Sequence, residues 1–307
     1  MSLLVIRPGM LTTVQDLGRW GHQHSGVPVA GPMDSYSHRL ANQLVGNESS
    51  AAALEITLIG PELEALEPTT CVVQGAQFEA AVNGNPLDVR RPFVIPAGQR
   101  LRFGARLSGA RATLAVLGGL DVPEDFGSRS TSLVSGIGPF NGRHLHAGDV
   151  LRIGPQPRSA VVSNGRPLKM PESGAVLRAI RGPHDAYFTP AALEQFFNGR
   201  FTITSQSNRM GYRLDGESLL HSRAADILSD ATPIGSVQVP ASGQPILLMA
   251  DRQTTGGYPK IGTVITADLP IAGQLAPGDW IEFRECTRAE AVAASREREA
   301  ALLGTDS

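Results

Sequence analysis

The chain has 307 residues, of which 34 are glycine and 22 are proline, and its 27 basic and 29 acidic residues leave a formal net charge of -2. With 41% hydrophobic residues it can bury a large core, which excludes a disordered or collagen-like chain. No long basic run is present to grip nucleic acid, and no window approaches the roughly 20 apolar residues that span a bilayer. We expect a soluble cytosolic protein that binds neither nucleic acid nor a membrane.

Short runs of strand-forming residues dominate the chain, and each is bounded by Gly, Pro, Asn or Asp. Their spacing is typical of a barrel or sandwich and predicts a mainly β fold with few helices. In chain order, the predicted strands cover residues 3–6, 54–59, 71–73, 93–95, 101–103, 113–117, 176–180, 201–204, 246–249 and 263–266.

Helical patterns are fewer. Asp34, or the serine after it, can cap a helix whose apolar residues recur at helical spacing and which Gly46 can end. Thr189 is followed by proline and opens a second helix that Gly199 can stop. The tail from residue 287 onward is rich in Ala, Glu and Arg and predicts a surface helix.

Three segments share a small residue, a glycine, a polar residue and then an alternating strand. They are PAGQRLRF over 96–103, HAGDVLRI over 146–153 and APGDWIEF over 276–283. Each predicts a tight turn that feeds a strand.

The segment over 155–173 is rich in proline and serine and has little periodicity, which favours a linker. We therefore expect two subdomains: an N-terminal β-rich one over 1–160 and a C-terminal one over 174–286. The predicted surface helix over 287–307 follows them.

Familiar cofactor and metal motifs are absent from the sequence, which contains no G-x-x-x-x-G-K-[ST], G-x-G-x-x-G, H-E-x-x-H or G-x-S-x-G pattern in its proper context. The only lysines, Lys169 and Lys260, do not lie in the Ala-Met-Lys-Met context of a biotin attachment site. Two histidine pairs are spaced i, i+2, but no third ligand completes a site, so we expect no metal. The two cysteines lie far apart, which argues against a disulfide framework.

Two polar clusters stand out in this background. The first places Gln15, Asp16 and Arg19 among glycines that let the backbone approach a ligand or partner closely, although an Asp–Arg pair could instead tie down a loop. The second, just after a predicted strand, carries Arg209 and Arg213 on either side of a glycine. These two arginines could converge on an anion, or they could be ordinary solvated side chains of a turn.

A third cluster, within residues 238–274, is the most distinctive. Between two predicted strands its loop offers peptide amides, hydroxyls, a phenol and an ammonium, the donor set that an oxyanion, carboxylate or phosphate requires. A purely structural hairpin would not need so many functional side chains. The candidate residues are Asp251, Arg252, Gln253, Thr254, Gly256, Gly257, Tyr258 and Lys260.

These clusters carry a family resemblance. The motifs are TVQDLGR with the following GVP and MD, then SNRMGYRLDG, then IGSVQVPASGQPILLMADRQTTGGYPKIGTVITADLP with QLAPGD. Together they resemble the allophanate hydrolase subunit 2 family, also called the 5-oxoprolinase C-subunit family, which corresponds to the second half of the carboxyltransferase domain of urea carboxylase. The resemblance runs from Pro8 to about Arg284. It departs at Ala30 and Pro32, where the usual pattern reads nearer SGAMD, so the backbone of that loop could differ.

The resemblance implies a cyclophilin-like β-barrel architecture and a separate partner of related fold, the B subunit, together with a further A subunit. In such an assembly the three proteins hydrolyse 5-oxoproline to glutamate at the expense of ATP. The unreactive lactam carbonyl would be activated by phosphorylation and then attacked by water.

On this hypothesis the predicted site residues take four roles. Asp251 or Asp16 would orient a base or a partner, and Lys260 would act at the reaction centre. Gly256, Gly257 and Tyr258 would shape the pocket. The predicted carboxylate or phosphate contacts are Arg209, Arg213, Arg252 and Lys260, with Gln253, Thr254, Gln15 and Arg19 as further substrate contacts.

Two other functions stay open. The chain could be a carboxyltransferase half-domain that moves a carboxyl group to urea or a similar amide from carboxybiotin, which would be carried on another chain. It could also be a regulatory binding protein, because one relative in this family is described as the antagonist of a kinase inhibitor. A partner protein of related fold is expected in all three cases.

Overall fold

The computed structural model describes residues 1–156 and 164–305. Strands predominate and helices are few, so the predicted mainly β fold class is confirmed. Residues 157–163 of the predicted linker, and the end of the predicted tail after Thr305, lie outside the described residues. In the part of the chain that is described, no helix is both long and apolar enough to cross a membrane.

By its internal contacts the chain divides into two compact units. The described residues of Met1–Trp20, Ala30–Met170 and the segment from Glu299 onward form the first unit. Gly21–Val29 and Pro171–Arg298 form the second unit.

The first unit is built on a nine-stranded antiparallel sheet. Its strands are β1 Ser2–Arg7, β2 Leu11–Gln15, β3 Ala53–Thr57, β4 Glu62–Ala65, β5 Thr69–Val82, β6 Asn85–Pro86, β7 Phe93–Ile95, β8 Arg100–Val116 and β9 Val150–Arg152. The main path runs β2-β3-β8-β4-β1-β9, and β5 pairs with β6, β7 and β8. The predicted strands over 101–103 and 113–117 are thus one long strand, because the segment between them, exposed at its start and buried at its end, stays extended and pairs with β5 through register shifts.

One helix of this unit packs on the sheet. Helix α1, Ser35–Val45, begins where the Asp34 carboxylate accepts the N–H of Ser37 at 2.8 Å and ends at Gly46, whose φ is +92°, so both predicted ends are confirmed. Its buried Ala41 packs with the apolar residues Ala53, Val72 and Ala115 of the sheet. A four-residue turn, α2 Pro139–Gly142, has left-handed backbone at its two central residues.

The second unit is a closed seven-stranded barrel in the order β10-β17-β14-β15-β12-β11-β18. Its strands are β10 Gly174–Arg181, β11 Arg200–Ile203, β12 Gly211–Asp215, β14 Ser236–Gln238, β15 Ile246–Leu248, β17 Lys260–Val264 and β18 Trp280–Glu285, and a separate two-stranded ladder joins β13 Asp230–Ala231 to β16 Thr255–Gly256.

Three helices accompany the barrel strands in sequence: α3 Pro190–Asn198, α4 Leu269–Gly273 and α5 Arg288–Leu303. Helix α3 confirms the predicted cap, since the Thr189 hydroxyl accepts the N–H of Ala192 at 3.1 Å. Its Phe196 stacks on Phe283 of β18 with ring centroids 4.6 Å apart, which joins the helix to the barrel core. The tail helix is also observed, and its Ala294 and Leu302 are buried.

The three predicted turns are confirmed. Gly98, Gly148 and Gly278 have φ values of +73°, +90° and +94°, and a strand begins two residues after each. A Cβ at any of them would meet no atom within 4 Å, so the left-handed backbone, rather than a lack of space, requires glycine.

Candidate functional site

The third sequence cluster lies in the second unit and begins with a buried ion pair. Nε and Nη2 of Arg209 each donate to one carboxylate oxygen of Asp251 at 3.0 Å. The two side chains are only 5% and 1% exposed, and the N–H of Asp251 also donates to the carbonyl of Arg209 at 2.9 Å. This bidentate pair fixes the end of strand β15 beside the loop that leads into β12.

Arg252, the next residue, is buried in a different environment. Its Nε donates to the carbonyl oxygen of Thr232 at 2.7 Å. Burial lowers the pKa of its guanidinium to about 10 against the opposing attraction of Asp251, so it stays charged at neutral pH. Within the described residues its Nη2 has no hydrogen-bond partner and no carboxylate lies at salt-bridge distance. Arg252 therefore has a donor available for an anion.

Lys260 is a buried ammonium, 2% exposed, with a carboxylate partner that is 52% exposed. Its Nζ donates to Oδ2 of Asp230 at 2.5 Å and to the carbonyl of Ala231 at 2.7 Å. The hydrogen bond from Lys260 holds the pKa of Asp230 below its usual value. The N–H of Lys260 donates to Nδ1 of His184 at 3.3 Å, and burial followed by the charge of Lys260 lowers the pKa of that imidazole.

Side-chain amides connect the loop after Arg252 to strand β14. Nε2 of Gln253 donates to Oε1 of Gln238 at 3.2 Å, and Nε2 of Gln238 donates to the carbonyl of Tyr258 at 3.3 Å. A Cβ on Gly256 would lie 2.7 Å from Nε2 of Gln238, so this position has no room for a side chain unless the amides move. The Tyr258 side chain is 40% exposed.

A short segment, residues 227–232, runs along this loop and is called the strap below. Its Ile227 N–H donates to the carbonyl of Gly257 at 2.8 Å, and its Thr232 N–H donates to that of Thr254 at 3.1 Å. Between these bonds the β13–β16 ladder pairs the two segments, and the Thr232 hydroxyl donates to the carbonyl of Gln253. The strap therefore contacts most of the predicted site residues of the third cluster.

Arg213 is placed apart from these residues. Its side chain is exposed on β12, and no hydrogen bond or ion pair of its guanidinium occurs among the described residues. It lines a separate groove of about 300 Å³ with polar neighbours that include Gln206 and Gln244. The structure therefore brings Arg209 and Asp251 together but leaves Arg213 outside that group.

The first sequence cluster lies in the first unit and centres on Asp16. Its carboxylate accepts hydrogen bonds from the hydroxyls of Ser128 and Ser130 at 2.5 and 2.6 Å and from the N–H groups of Arg129 and Gly18 at 2.6 and 2.9 Å. Burial alone would raise the pKa of Asp16, but these four hydrogen bonds outweigh it and lower the pKa. The carboxylate is thereby held in its charged form.

The neighbours of Asp16 contact the same segment. Nε2 of Gln15 donates to the carbonyl of Thr131 and to the hydroxyl of Thr13, both at 3.0 Å. Arg19 is 1% exposed, and its guanidinium donates to the carbonyl of Ser130. All three predicted residues of this cluster therefore fix the loop after β2 to residues 128–131.

Sequence reasoning missed several of these partners. The run SRSTS over 128–132 is visible in the sequence as a hydroxyl-rich stretch between glycines, and that was the available signal. Gln238 could have been noted because it lies inside the third motif. Asp230 and His184 carry no local signal, because only the barrel brings them to Lys260.

Comparisons with known proteins agree with this architecture. The family described as carboxyltransferase domain, subdomain A and B, matches residues 25–285. The C subunit of 5-oxoprolinase from Escherichia coli (strain K12) is 42% identical over 97% of this chain and 95% of that protein. The C subunit of 5-oxoprolinase from Haemophilus influenzae is 37% identical over 94% of this chain and 92% of that protein.

Among solved structures, the Kluyveromyces lactis urea carboxylase superposes with a TM-score of 0.93 at 32% identity. The match covers 99% of this chain and 29% of that one. The resemblance identified from the three motifs is confirmed, and the chain belongs to the carboxyltransferase domain, subdomain A and B, family.

Proposed function

We propose that this chain is the C subunit of a 5-oxoprolinase that hydrolyses 5-oxoproline to glutamate with ATP, together with A and B subunits as its partners, in the cytosol. The observation that carries the proposal is the 42% identity to a 5-oxoprolinase C subunit over 97% of this chain and 95% of that protein. A match across almost the full length of both chains supports the same role in the same kind of assembly.

The reaction explains why donor groups are needed. Transfer of the γ-phosphoryl group of ATP to the lactam oxygen leaves ADP and makes the ring carbon electrophilic. A first water adds to that carbon, the ring C–N bond breaks to give an amine and an acyl phosphate, and a second water releases phosphate and leaves glutamate. Substrate and intermediates carry carboxylate or phosphoryl groups throughout, and such anions are stabilised by preorganised cations and N–H groups.

The second unit offers such donors. Arg252 has an available guanidinium nitrogen, and the buried ammonium of Lys260 lies one short loop away in sequence. We assign both to the substrate carboxylate or the phosphoryl group, with Gln253, Gly256 and Tyr258 shaping the pocket. Because the sequence has no phosphate loop, we assign the rest of the nucleotide to the partner proteins.

The carboxylates take supporting roles in this proposal. Asp251 positions Arg252 by pairing with Arg209, and Asp16 fixes its loop through neutral donors. Arg213 lies in its own groove and is assigned no contact with the same anion.

The test is glutamate release from 5-oxoproline and ATP by the reconstituted complex, with this chain present, absent, or carrying Lys260→Met. Loss of one charged donor in such a site costs about 10²–10³ in rate. The matched control is Lys169→Met, which changes the only other lysine, an exposed one, and should leave turnover unchanged. Full turnover with Lys260→Met removes that residue from the site, and no glutamate from the wild-type complex refutes the 5-oxoprolinase assignment.

The structural match favours one other candidate, a carboxyltransferase half-domain of a biotin-dependent enzyme. The urea carboxylase domain superposes on 99% of this chain. Biotin would have to be carried by another chain, since Lys260 is buried in an ion pair and Lys169 lies in the sequence PLKMPE. Avidin blotting of proteins that co-purify with this chain separates the candidates: a biotinylated partner supports the transferase, and its repeated absence counts against it.

A further inference from the structure

The strap and the buried ammonium of Lys260 depend on each other. Both hydrogen-bond acceptors that Nζ of Lys260 has among the described residues, Oδ2 of Asp230 and the carbonyl of Ala231, belong to the strap. A buried ammonium without a counter-charge is costly, so Lys260 needs either this carboxylate or another anion.

The strap itself is held mainly by hydrogen bonds. Of its two large apolar side chains, Leu228 is 94% exposed and Ile227 is only partly buried. The Asp230 side chain is half exposed, although its cationic partner is 98% buried. An element with few buried apolar contacts opens at low free-energy cost, provided that its charged partner is satisfied.

The C-terminal end of the strap is the firm one. Thr232 is buried, its carbonyl accepts from Nε of Arg252 at 2.7 Å, and its hydroxyl donates to the carbonyl of Gln253. Displacing residues 227–231 while Thr232 stays in place would uncover the Lys260 ammonium and leave the Arg252 contact intact.

We propose that Asp230 is an internal stand-in for the ligand: its carboxylate holds the anion position of Lys260 in the ligand-free chain, and a substrate carboxylate or phosphoryl group displaces it together with the strap. This inference deepens the proposed function, because it names Lys260 as the anion position and the strap as the element that regulates access to it. The exchange replaces one anion by another, so the buried ammonium is never left without a partner.

The test measures binding of inorganic phosphate and, separately, 5-oxoproline to the full chain by calorimetry. Asp230→Asn removes the competing charge and should tighten binding about tenfold or more for the anion that uses the site, which distinguishes a phosphoryl group from a carboxylate. Asp226→Asn is the matched control, because it removes an exposed carboxylate four residues away that has no partner among the described residues, and its affinity should equal that of the wild type.

Hydrogen exchange of the strap supplies the second measurement. The N–H groups of Ile227 and Thr232 are hydrogen-bonded to the loop. At saturating ligand we expect faster exchange at Ile227 and unchanged exchange at Thr232. Equal affinities of wild type and Asp230→Asn, no binding by any variant, or slower exchange at Ile227 would each overturn the inference. Tighter binding by Asp230→Asn without glutamate release from the complex would keep this site and reject only the 5-oxoprolinase assignment.

Discussion

Two carboxylates fix the candidate loops, one in each unit, and their surroundings differ in charge. Asp16 accepts its four hydrogen bonds from two serine hydroxyls and two backbone N–H groups, and none of the described cations lies at salt-bridge distance from it. Asp251 accepts both of its side-chain hydrogen bonds from the guanidinium of Arg209. Neutral donors hold the first loop, and a buried ion pair holds the start of the second.

The difference predicts how each loop fails. A carboxylate held by neutral donors loses its advantage when it is protonated, so the Asp16 loop should respond to pH. A buried ion pair leaves an uncompensated charge when one partner is removed, so the Asp251 loop should respond most strongly to mutation. A falling pH should therefore weaken the hydrogen bonds of Asp16 gradually, whereas a mutation of Asp251 removes its ion pair completely.

The largest effect is therefore expected for Asp251→Asn. This change removes the buried carboxylate that accepts two hydrogen bonds from Arg209, and breaking a buried ion pair of this kind should lower the free energy of unfolding by about 3–5 kcal/mol. Urea unfolding followed by circular dichroism measures it.

The matched control is Glu285→Gln, which breaks the pair of Glu285 with Arg181 at 2.6 Å. Both of those side chains are almost half exposed, and such surface pairs contribute about 0–1 kcal/mol. Similar losses for the two variants would show that burial does not distinguish the Asp251 pair.

Much of the fold could be predicted from the sequence, because helix ends and turns depend on nearby residues. Asp34 and Thr189 cap helices with their own side chains, and Gly98 adopts a backbone that other residues resist. The sequence predicts separate strands at 101–103 and 113–117. Their fusion into β8 depends on pairing with β5, which is distant in sequence.

The candidate site could be predicted only in part, because its contacts also join residues that are distant in sequence. Arg209 and Arg213 are equivalent in the sequence, but one faces the buried Asp251 and the other faces solvent on β12. Arg209 precedes β12 and meets a partner 42 residues away in the sequence, whereas Arg213 lies on the strand itself. The pairing of Lys260 with Asp230 likewise exists only after the barrel has formed.

A smaller effect is expected for Asp16→Asn, and it should depend on pH. The pKa of Asp16 is lower in the folded chain than in the unfolded one, so its stabilisation is present at neutral pH and is lost as the pH falls through the folded value. An asparagine keeps the size but turns an N–H donor toward the hydroxyls and N–H groups that now donate to the carboxylate. We expect a loss of about 1–3 kcal/mol at pH 7.

The measurement is urea unfolding of wild type and variant from pH 7 to below about pH 4, where carboxylates take up protons. The gap between the two proteins should narrow as the pH falls. A gap that stays constant over this range would mean that the charge of Asp16 does not stabilise the loop.

The smallest effect is expected where side-chain amides, rather than charges, set the loop. An alanine at 256 places its Cβ 2.7 Å from Nε2 of Gln238 and 3.1 Å from Nε2 of Gln253, so the hydrogen bond between these amides must break or shift. The loss of about 1 kcal/mol should raise KM for 5-oxoproline several-fold to about tenfold in the assembled enzyme, with little change in the free energy of unfolding. Gly257→Ala is the control, since its Cβ would meet only the carbonyl of Ile227 at an ordinary 3.4 Å. A large rise in KM for Gly256→Ala alone would show that the amides shape the pocket, whereas equal rises would show that the loop needs glycine for backbone freedom.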